Sequence, residues 1–264
     1  MDPDAANPAG WGHHSFGYYG LAFFAIILAR YFLVAGGSYW LLYARRTPAA
    51  GSPPQAPVSN RAIRQDIGLS VIAAAVFALA TAGVMTLQSQ GLTRLYAQAD
   101  LHGWWYLGFS YAAVLVLQDG YFYACHRLFH QPALYRWLHE GHHRSRQPTP
   151  WTSFAFDPIE AVVQALFLVG VVFVIPLHAI TLIAVLTTMT VWAVVNHLGL
   201  DRLPRRFPHH WLGRWFIGPA HHSLHHRRHG VHFGLYFTFW DQTCGTEDPG
   251  YARSFELRRN DGSA

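Results

Sequence analysis

The sequence predicts an all-α, integral-membrane helical bundle with a cytosolic cap that is lined by histidines. Three observations predict this fold class. The 264 residues are 52% hydrophobic and only 12% charged, whereas soluble domains average about 25% charged residues. Five apolar stretches have the length or the paired arrangement of membrane-crossing helices. Three histidine clusters, HRLFH at 126–130, HEGHH at 139–143 and HSLHH at 222–226, have the i, i+3 or i+4 spacing of one helix face.

The apolar stretches cover residues 18–43, 67–87, 104–124, 161–175 and 177–195. A helix needs about 20 apolar residues to cross a bilayer, so the second and third stretches are predicted spans. The first is long enough but carries Arg30, for which three explanations stay open: it snorkels, faces the bundle interior or marks the true helix start. The last two stretches meet at Pro176 and are predicted to form a helical hairpin with both ends on one side.

The positions of the arginines predict the orientation of this single membrane domain. All 19 basic residues are arginine; the loop 44–66 holds four of them, and the segment before the first span holds none. We therefore expect an external N-terminus and a cytosolic cap, formed by residues 125–160 and 196–264, in a bacterial inner membrane. Residues 1–17 carry acids but no arginine, so a cleavable signal peptide is not expected. The scattered arginines also argue against a nucleic-acid partner.

The histidine clusters are predicted to lie on three helices at the cytosolic edge of the membrane. The first cluster ends the third span, the second lies on a helix over 133–143, and the third lies on a helix over 220–228 that starts after Pro219. His197 follows the second arm of the hairpin and adds a ninth histidine at the same depth. Imidazole is the commonest side-chain ligand of iron, zinc and copper. The predicted metal ligands are therefore His126, His130, His139, His142, His143, His197, His222, His225 and His226.

Nine imidazoles exceed the needs of one ion, since a zinc site takes about four ligands. Two six-coordinate ions would leave a few positions for oxygen, water or a bridging group. All-nitrogen ligation favours iron over magnesium or calcium, while zinc and manganese stay compatible. The other histidines are expected not to ligate: His13, His14, His102 and His178 on the outside, and His209, His210, His229 and His232 as surface or supporting residues.

Several polar residues are candidates for orienting the ligands, because metal-bound histidines usually donate their second N–H group to a carboxylate or a carbonyl. Asp119 lies seven residues before His126 on the same helix face, which favours this role. Asp241 either orients a ligand or starts a turn. Glu140 either orients a ligand or is a solvated helix residue, and the second interpretation is slightly favoured. His221 lies one turn before His225, and ligation and a supporting role are equally expected for it.

Taken in order, these motifs resemble the fatty acid hydroxylase / sterol desaturase superfamily of integral-membrane di-iron oxygenases. The resemblance covers about residues 101–249 and rests on DGYFYACHRLFH (119–130), HEGHHRS (139–145), NHLG (196–199), HSLHH (222–226) and FGLYFTFWDQTCGT (233–246). The chain departs from the family pattern in two places. Some members have a further HxxxH group in the third region, where Asp201 is the partner of His197; Asp201 either ligates or leaves the site one ligand short. His232 stands before Phe-Gly where the family usually has Asn-Tyr-Gly.

The resemblance implies an O2-dependent, two-electron oxidation of a C–H bond in a membrane lipid by two iron ions, as hydroxylation or desaturation. A carotenoid or other isoprenoid ring is slightly favoured over a sterol or a fatty acyl chain, on the PTPW run at 148–151. The sequence contains no flavin, haem or iron–sulfur motif, so a separate electron-transfer protein is expected as a partner.

Two hypotheses from other classes compete with an oxygenase. A histidine-rich metal transporter or sensor would place its ligands along a path near the middle of the bilayer. A membrane zinc hydrolase would need about three protein ligands, a water molecule and a general base. The collection of nine histidines at one face favours the oxygenase over both.

Overall fold

The computed structural model describes residues 14–44, 58–98, 100–199 and 210–251. The predicted fold class is confirmed, because these residues are mostly helical and three of their helices are long and apolar enough to cross a membrane: Phe16–Tyr43, Asn60–Ser89 and Ala179–Asn196. The only strands among the described residues are β1 (Leu95–Tyr96) and β2 (Leu177–His178), which form a two-residue parallel pair.

The first two helices pack against each other through small residues. Helix α1 (Phe16–Tyr31) continues through π-helical turns at Phe32–Gly36 and Trp40–Ala44, which flank α2 (Gly37–Tyr39). Helix α3 (Asn60–Ser89) presents alanines four residues apart, at Ala74, Ala78 and Ala82, to aromatic and aliphatic side chains of α1. Small residues let membrane helices approach closely, so this stripe explains the pairing.

Helix α4 (Trp104–Phe129) covers the third predicted span and runs on into the first histidine cluster. It is about 39 Å long at 1.5 Å per residue, but it is not among the three helices that reach the hydropathy of a span. The reason lies in its buried polar residues Gln118 and Asp119 and in its tyrosines. The helix ends one residue before His130, since Gln131 precedes a proline and is extended.

The two stretches for which a hairpin is predicted form α7 (Pro158–Val174) and α8 (Ala179–Asn196), with β2 between them. Helix α7 packs mainly on α3, with further contacts to α4, and α8 packs mainly on α4. Valines of α3, α4, α7 and α8 form a buried cluster with Leu95 and Leu177 of the strand pair. This cluster fixes the positions of the four helices at the end away from the histidines.

The cap is built from short helices. The single helix expected over 133–143 is instead two helices, α5 (Pro132–Leu138) and α6 (Glu140–His143), because His139 between them has a non-helical φ of −151°. A 3-10 helix at Pro150–Phe154 follows. Helix α9 (Pro219–Arg228) starts at Pro219, and α10 (Phe239–Thr243) follows it.

Candidate metal centre

The structure brings all nine predicted ligand histidines together, in two adjoining groups. The five-histidine group contains His126, His130, His139, His143 and His225, and the four-histidine group contains His142, His197, His222 and His226. Within each group, one nitrogen of every imidazole lies within 4.8 Å of the others. The groups are neighbours, since the rings of His143 and His226 are 4.5 Å apart and those of His142 and His226 are 4.7 Å apart.

The histidines reach the candidate site from the ends of α4 and α8, from α6 and the residue before it, and from α9. The carboxyl end of α4 carries His126 and His130, whose rings are 5.1 Å apart across one helical turn. Helix α9 divides its histidines, so that His225 belongs to the first group and His222 and His226 belong to the second. His197 caps the carboxyl end of α8. Eight of the nine residues are buried, and His130 is half-buried.

The backbone and one carboxylate hold the Nδ1 atoms of five of these histidines. His126, His142, His197 and His225 contact the carbonyl oxygens of Phe233, Ala155, Ala193 and Val231, at 2.9, 3.2, 2.6 and 2.8 Å. His139 Nδ1 lies 2.8 Å from a carboxylate oxygen of Glu160. An N–H group that donates to an oxygen leaves the other ring nitrogen as a free base. The contacts therefore aim five Nε2 atoms inward as potential ligands.

The contacts among the Nε2 atoms of the nine histidines fit metal ions. Nε2 of His143 lies 3.1 Å from Nε2 of His225, and Nε2 of His222 lies 3.0 and 3.1 Å from those of His197 and His226. Two imidazole ligands at right angles, each about 2.1 Å from one ion, would be about 3.0 Å apart. The buried Nε2 atoms of His126, His130 and His139 have no hydrogen-bond partner at all. Buried ring nitrogens without partners, in groups whose ligand atoms lie within 4.8 Å of one another, form a donor set that fits a metal pair.

The electrostatic environment keeps these imidazoles in the form that binds metal. Burial, which disfavours the charged form, lowers the pKa of His142 to about 4. Burial and the neighbouring histidines hold the pKa values of His139, His143 and His225 well below the usual 6.5. Neutral imidazoles are metal ligands and imidazolium ions are not. The cluster is therefore ready to bind cations at neutral pH.

A cavity of about 30 Å³ lies against both groups. It is bounded by His126 and His139 of the first group and by His142, His197 and His222 of the second. The rest of its wall is largely apolar: Phe122, Phe156, Ala193, Gly234 and Leu235, with Ser153, Asn196 and Glu160. A volume of this size holds a water molecule or a small diatomic gas.

The two aspartates expected to orient ligands do not contact a histidine. The Asp119 carboxylate accepts hydrogen bonds from the backbone N–H groups of Tyr236 and Phe237, at 2.7 and 3.3 Å. Asp241 accepts from the N–H groups of Phe233 and Gly234, at 2.8 and 2.9 Å. Both carboxylates bind the segment that supplies the Phe233 carbonyl to His126, so an orienting role for either of them would act through this segment and stays a prediction.

The remaining candidates lie beside the site or away from it. His221 belongs to neither group; its Nδ1 accepts from the Gly218 N–H at 3.2 Å and lies 3.0 Å from the Tyr251 hydroxyl. His102 and His178 both contact Tyr96, near the start of α4 and therefore far from the histidines at its other end. Asp201, His13 and His209 lie outside the described residues.

The histidines expected to support the site or to lie on the surface occupy three environments. His229, half-buried at the end of α9, has its ring 4.5 Å from that of His143. His232 is fully buried and contacts His221, with rings 5.0 Å apart. His14 and His210 are exposed.

Sequence reasoning missed the two carboxylates at the start of α7. Glu160, 1% exposed, contacts His139, and Asp157 accepts the N–H of Gly141 at 2.7 Å. The available signal was the pair of acids in the first turn of an otherwise apolar arm. Acids in the first turn of a helix are also expected for another reason, because a negative charge is favourable at a helix N-terminus. The contact of this turn with α6 is therefore visible only in the fold.

Comparisons with known proteins bear on the same region. The model of the fatty acid hydroxylase family matches residues 111–246. A delta(7)-sterol 5(6)-desaturase of Gibberella zeae is 31% identical over 216 residues, which are 82% of this chain and 64% of that protein. A lathosterol oxidase of Rattus norvegicus is 31% identical over 219 residues, 82% of this chain and 70% of that protein.

The human lathosterol oxidase gives similar figures, with 29% identity over 218 residues. The chain covers less than two thirds of the length of the two Gibberella zeae desaturases that it matches, 64% and 58%. No solved structure matches the chain.

Proposed function

The chain belongs to the fatty acid hydroxylase family, a family of oxidoreductases, and on this premise we propose that it oxidises a C–H bond of a membrane sterol with O2. The proposed cofactor is a pair of iron ions. The nine histidines of the two groups would hold it: His126, His130, His139, His143 and His225 for one ion, and His142, His197, His222 and His226 for the other.

The observation that carries this proposal is the division of the histidines into five and four around one cavity. Nine ligands on two six-coordinate ions would leave about three positions open for oxygen or water. When bound, the iron pair would activate O2 for a two-electron oxidation of the lipid. Imidazole ligation is compatible with iron, and magnesium or calcium would require oxygen ligands, which the two groups lack.

The chain's own residues would hold the reacting carbon and exclude water. Phe122, Phe156 and Leu235 form an apolar part of the cavity wall beside the histidines. The cavity is much smaller than the several hundred Å³ that enclose a drug-sized ligand. The sterol would therefore displace part of this wall when it binds, so that one carbon faces the ligands and water stays excluded.

The relatives favour a sterol and a desaturation. Three of them carry the names delta(7)-sterol 5(6)-desaturase and lathosterol oxidase, so we propose a delta(7)-sterol as substrate and a new double bond as product. None of these names supports the carotenoid or isoprenoid ring that the PTPW run slightly favoured. Reduction of O2 to water takes four electrons, of which the lipid supplies two, and a separate electron-transfer protein is the proposed source of the others.

The chain is an integral membrane protein, and we propose an orientation for it. The arginines of the loop 44–66 and of the segments after residues 124 and 195 favour a cytosolic cap and an external N-terminus. The proposed location is a bacterial inner membrane. A transporter is less well supported, because its ligands would follow a path across the bilayer, whereas both histidine groups lie at one end of the helices.

The test combines metal analysis with lipid analysis. The purified protein should contain about two irons per chain, and a host that is fed a delta(7)-sterol should accumulate a product lighter by 2 Da. Replacing His142 or His226 with Ala should lower the iron content and abolish the product. His102→Ala, a histidine far from the site, is the control and should change neither.

One zinc per chain with no O2 consumption would falsify the proposal. A product heavier by 16 Da would replace desaturation with hydroxylation and leave the metal assignment intact.

A further inference from the structure

Asp66 is a buried carboxylate that the proposed reaction has not used. It lies in the second turn of α3, is 3% exposed, and takes part in neither of the ion pairs found among the described residues. Two hydroxyl groups donate to it: the single O–H of Ser145, whose Oγ lies 2.8 and 2.9 Å from the two carboxylate oxygens, and Thr152 Oγ1, which donates at 2.7 Å. Burying an ionisable group without a cation beside it costs free energy. A neutral polar side chain would connect a helix to a loop at a lower cost, so a connection alone does not require a carboxylate here.

The two hydroxyl donors belong to the segment that connects the second histidine cluster to α7. Ser145 comes two residues after His143, and Thr152 lies in the 3-10 helix at Pro150–Phe154. Thr152 Oγ1 also accepts the N–H of Thr149 at 3.1 Å, which closes the turn before that helix. Asp66 therefore holds both ends of residues 145–152 against α3.

This segment sets the orientation of one ligand in the four-histidine group. The 3-10 helix ends at Ala155, whose carbonyl oxygen lies 3.2 Å from Nδ1 of His142. In the five-histidine group, the Nδ1 atoms that have partners contact residues outside the segment 145–152, namely Phe233, Glu160 and Val231. Movement of residues 145–152 would consequently turn His142 while those three contacts remain.

We propose that Asp66 is a positioning residue for the four-histidine group, acting on His142 through Ser145, Thr152 and the carbonyl of Ala155. This inference rests on the proposed two-metal site. Asp66 lies near the start of a membrane helix, 76 positions before His142 in the chain. The inference gives it a role in the affinity of the site for one of the two metal ions.

The experiment is a titration of the metal-free, full-length protein in detergent with cobalt(II), followed by visible absorption. Wild-type protein should bind two equivalents. In Asp66→Ala, one equivalent should bind as in wild type and the other should bind at least about 10-fold more weakly, the loss typical when a partner of a metal-bound histidine is removed. Thr152→Val, which keeps the size of the side chain, should weaken the same equivalent.

The control is Ser110→Ala, which removes a buried hydroxyl group that donates within α4, to the Tyr106 carbonyl oxygen at 2.7 Å. It should leave both equivalents unchanged. Equal weakening of both equivalents in Asp66→Ala and Thr152→Val would show a general structural role and overturn the inference, as would unchanged binding. A wild-type protein that binds fewer than two equivalents would instead remove the two-metal site itself.

Discussion

At the scale of single residues, the candidate site depends on which nitrogen of each imidazole is already engaged. Backbone carbonyls take the Nδ1 atoms of His126, His142, His197 and His225. His139 differs, since its Nδ1 meets the carboxylate of Glu160 at 2.8 Å. A carboxylate partner fixes the ring orientation and raises the basicity of the ligand more strongly than a carbonyl does.

Replacing Glu160 with Ala should therefore weaken metal binding about 10- to 100-fold, because His139 would lose the partner that fixes its ring. Competition with a chelator of known affinity measures the change. Glu140→Ala is the matched control: this glutamate begins α6 next to His139, is half-buried, and makes no described contact with a histidine nitrogen. Equal losses in both variants would contradict the role of Glu160.

At the scale of elements, short helices of the cap are held by carboxylates from the membrane-associated helices. Asp157, which precedes α7, accepts the N–H of Gly141 in the first turn of α6 at 2.7 Å. Gly141 lies between histidines of both groups, His139 and His142. A Cβ atom at this position would collide with the Asp157 carboxylate, so the approach of α6 to α7 requires a glycine.

Gly141→Ala should destabilise the protein by about 1–3 kcal/mol, the usual cost of overpacking, and should reduce the metal bound by both groups. Thermal unfolding and metal analysis of the purified variant measure the two effects. Gly170→Ala in α7 is the control, since a Cβ there meets nothing within 4 Å. That variant should be neutral or slightly stabilised, because alanine is the better helix former. A Gly141→Ala protein that matched it would refute the steric argument.

At the scale of the whole molecule, the cap keeps many histidines away from water. His142 and His232 lie on different elements, and burial lowers the pKa of each to about 4. An unfolded chain would protonate both near pH 6.5. The folded state thus binds fewer protons than the unfolded state between about pH 4 and 6.5, and its stability falls as the pH falls through that window.

The free energy of unfolding of the metal-free protein should accordingly fall by on the order of 3 kcal/mol for each such histidine as the pH drops from 6.5 to 4. Denaturant unfolding in detergent at several pH values measures this slope. Bound metal should shift this loss of stability to lower pH, because protons and metal compete for the same nitrogens. Stability that stayed constant between pH 7 and 4.5 would mean that water reaches these rings.

The sequence by itself determined the fold class, the helices and the nine histidines that come together. Helical spacing puts His222, His225 and His226 on one face whatever surrounds them, and the long apolar stretches form helices whether or not each one reaches the hydropathy of a span. Its errors were local, and they arose where a neighbouring element decides. The surroundings of His139, which include Glu160, and the backbone contacts of Asp119 depend on residues far away in the chain.

Only the tertiary structure decided how the histidines divide. Spacing gives three clusters, but the groups cut across them: His142 and His143 are adjacent in the chain and belong to different groups. It also decided which acids support the site, because Asp66 and Glu160 reach residues 79 and 21 positions away. A helical repeat fixes the face on which a side chain lies, whereas the packing of one helix on another fixes what that face meets.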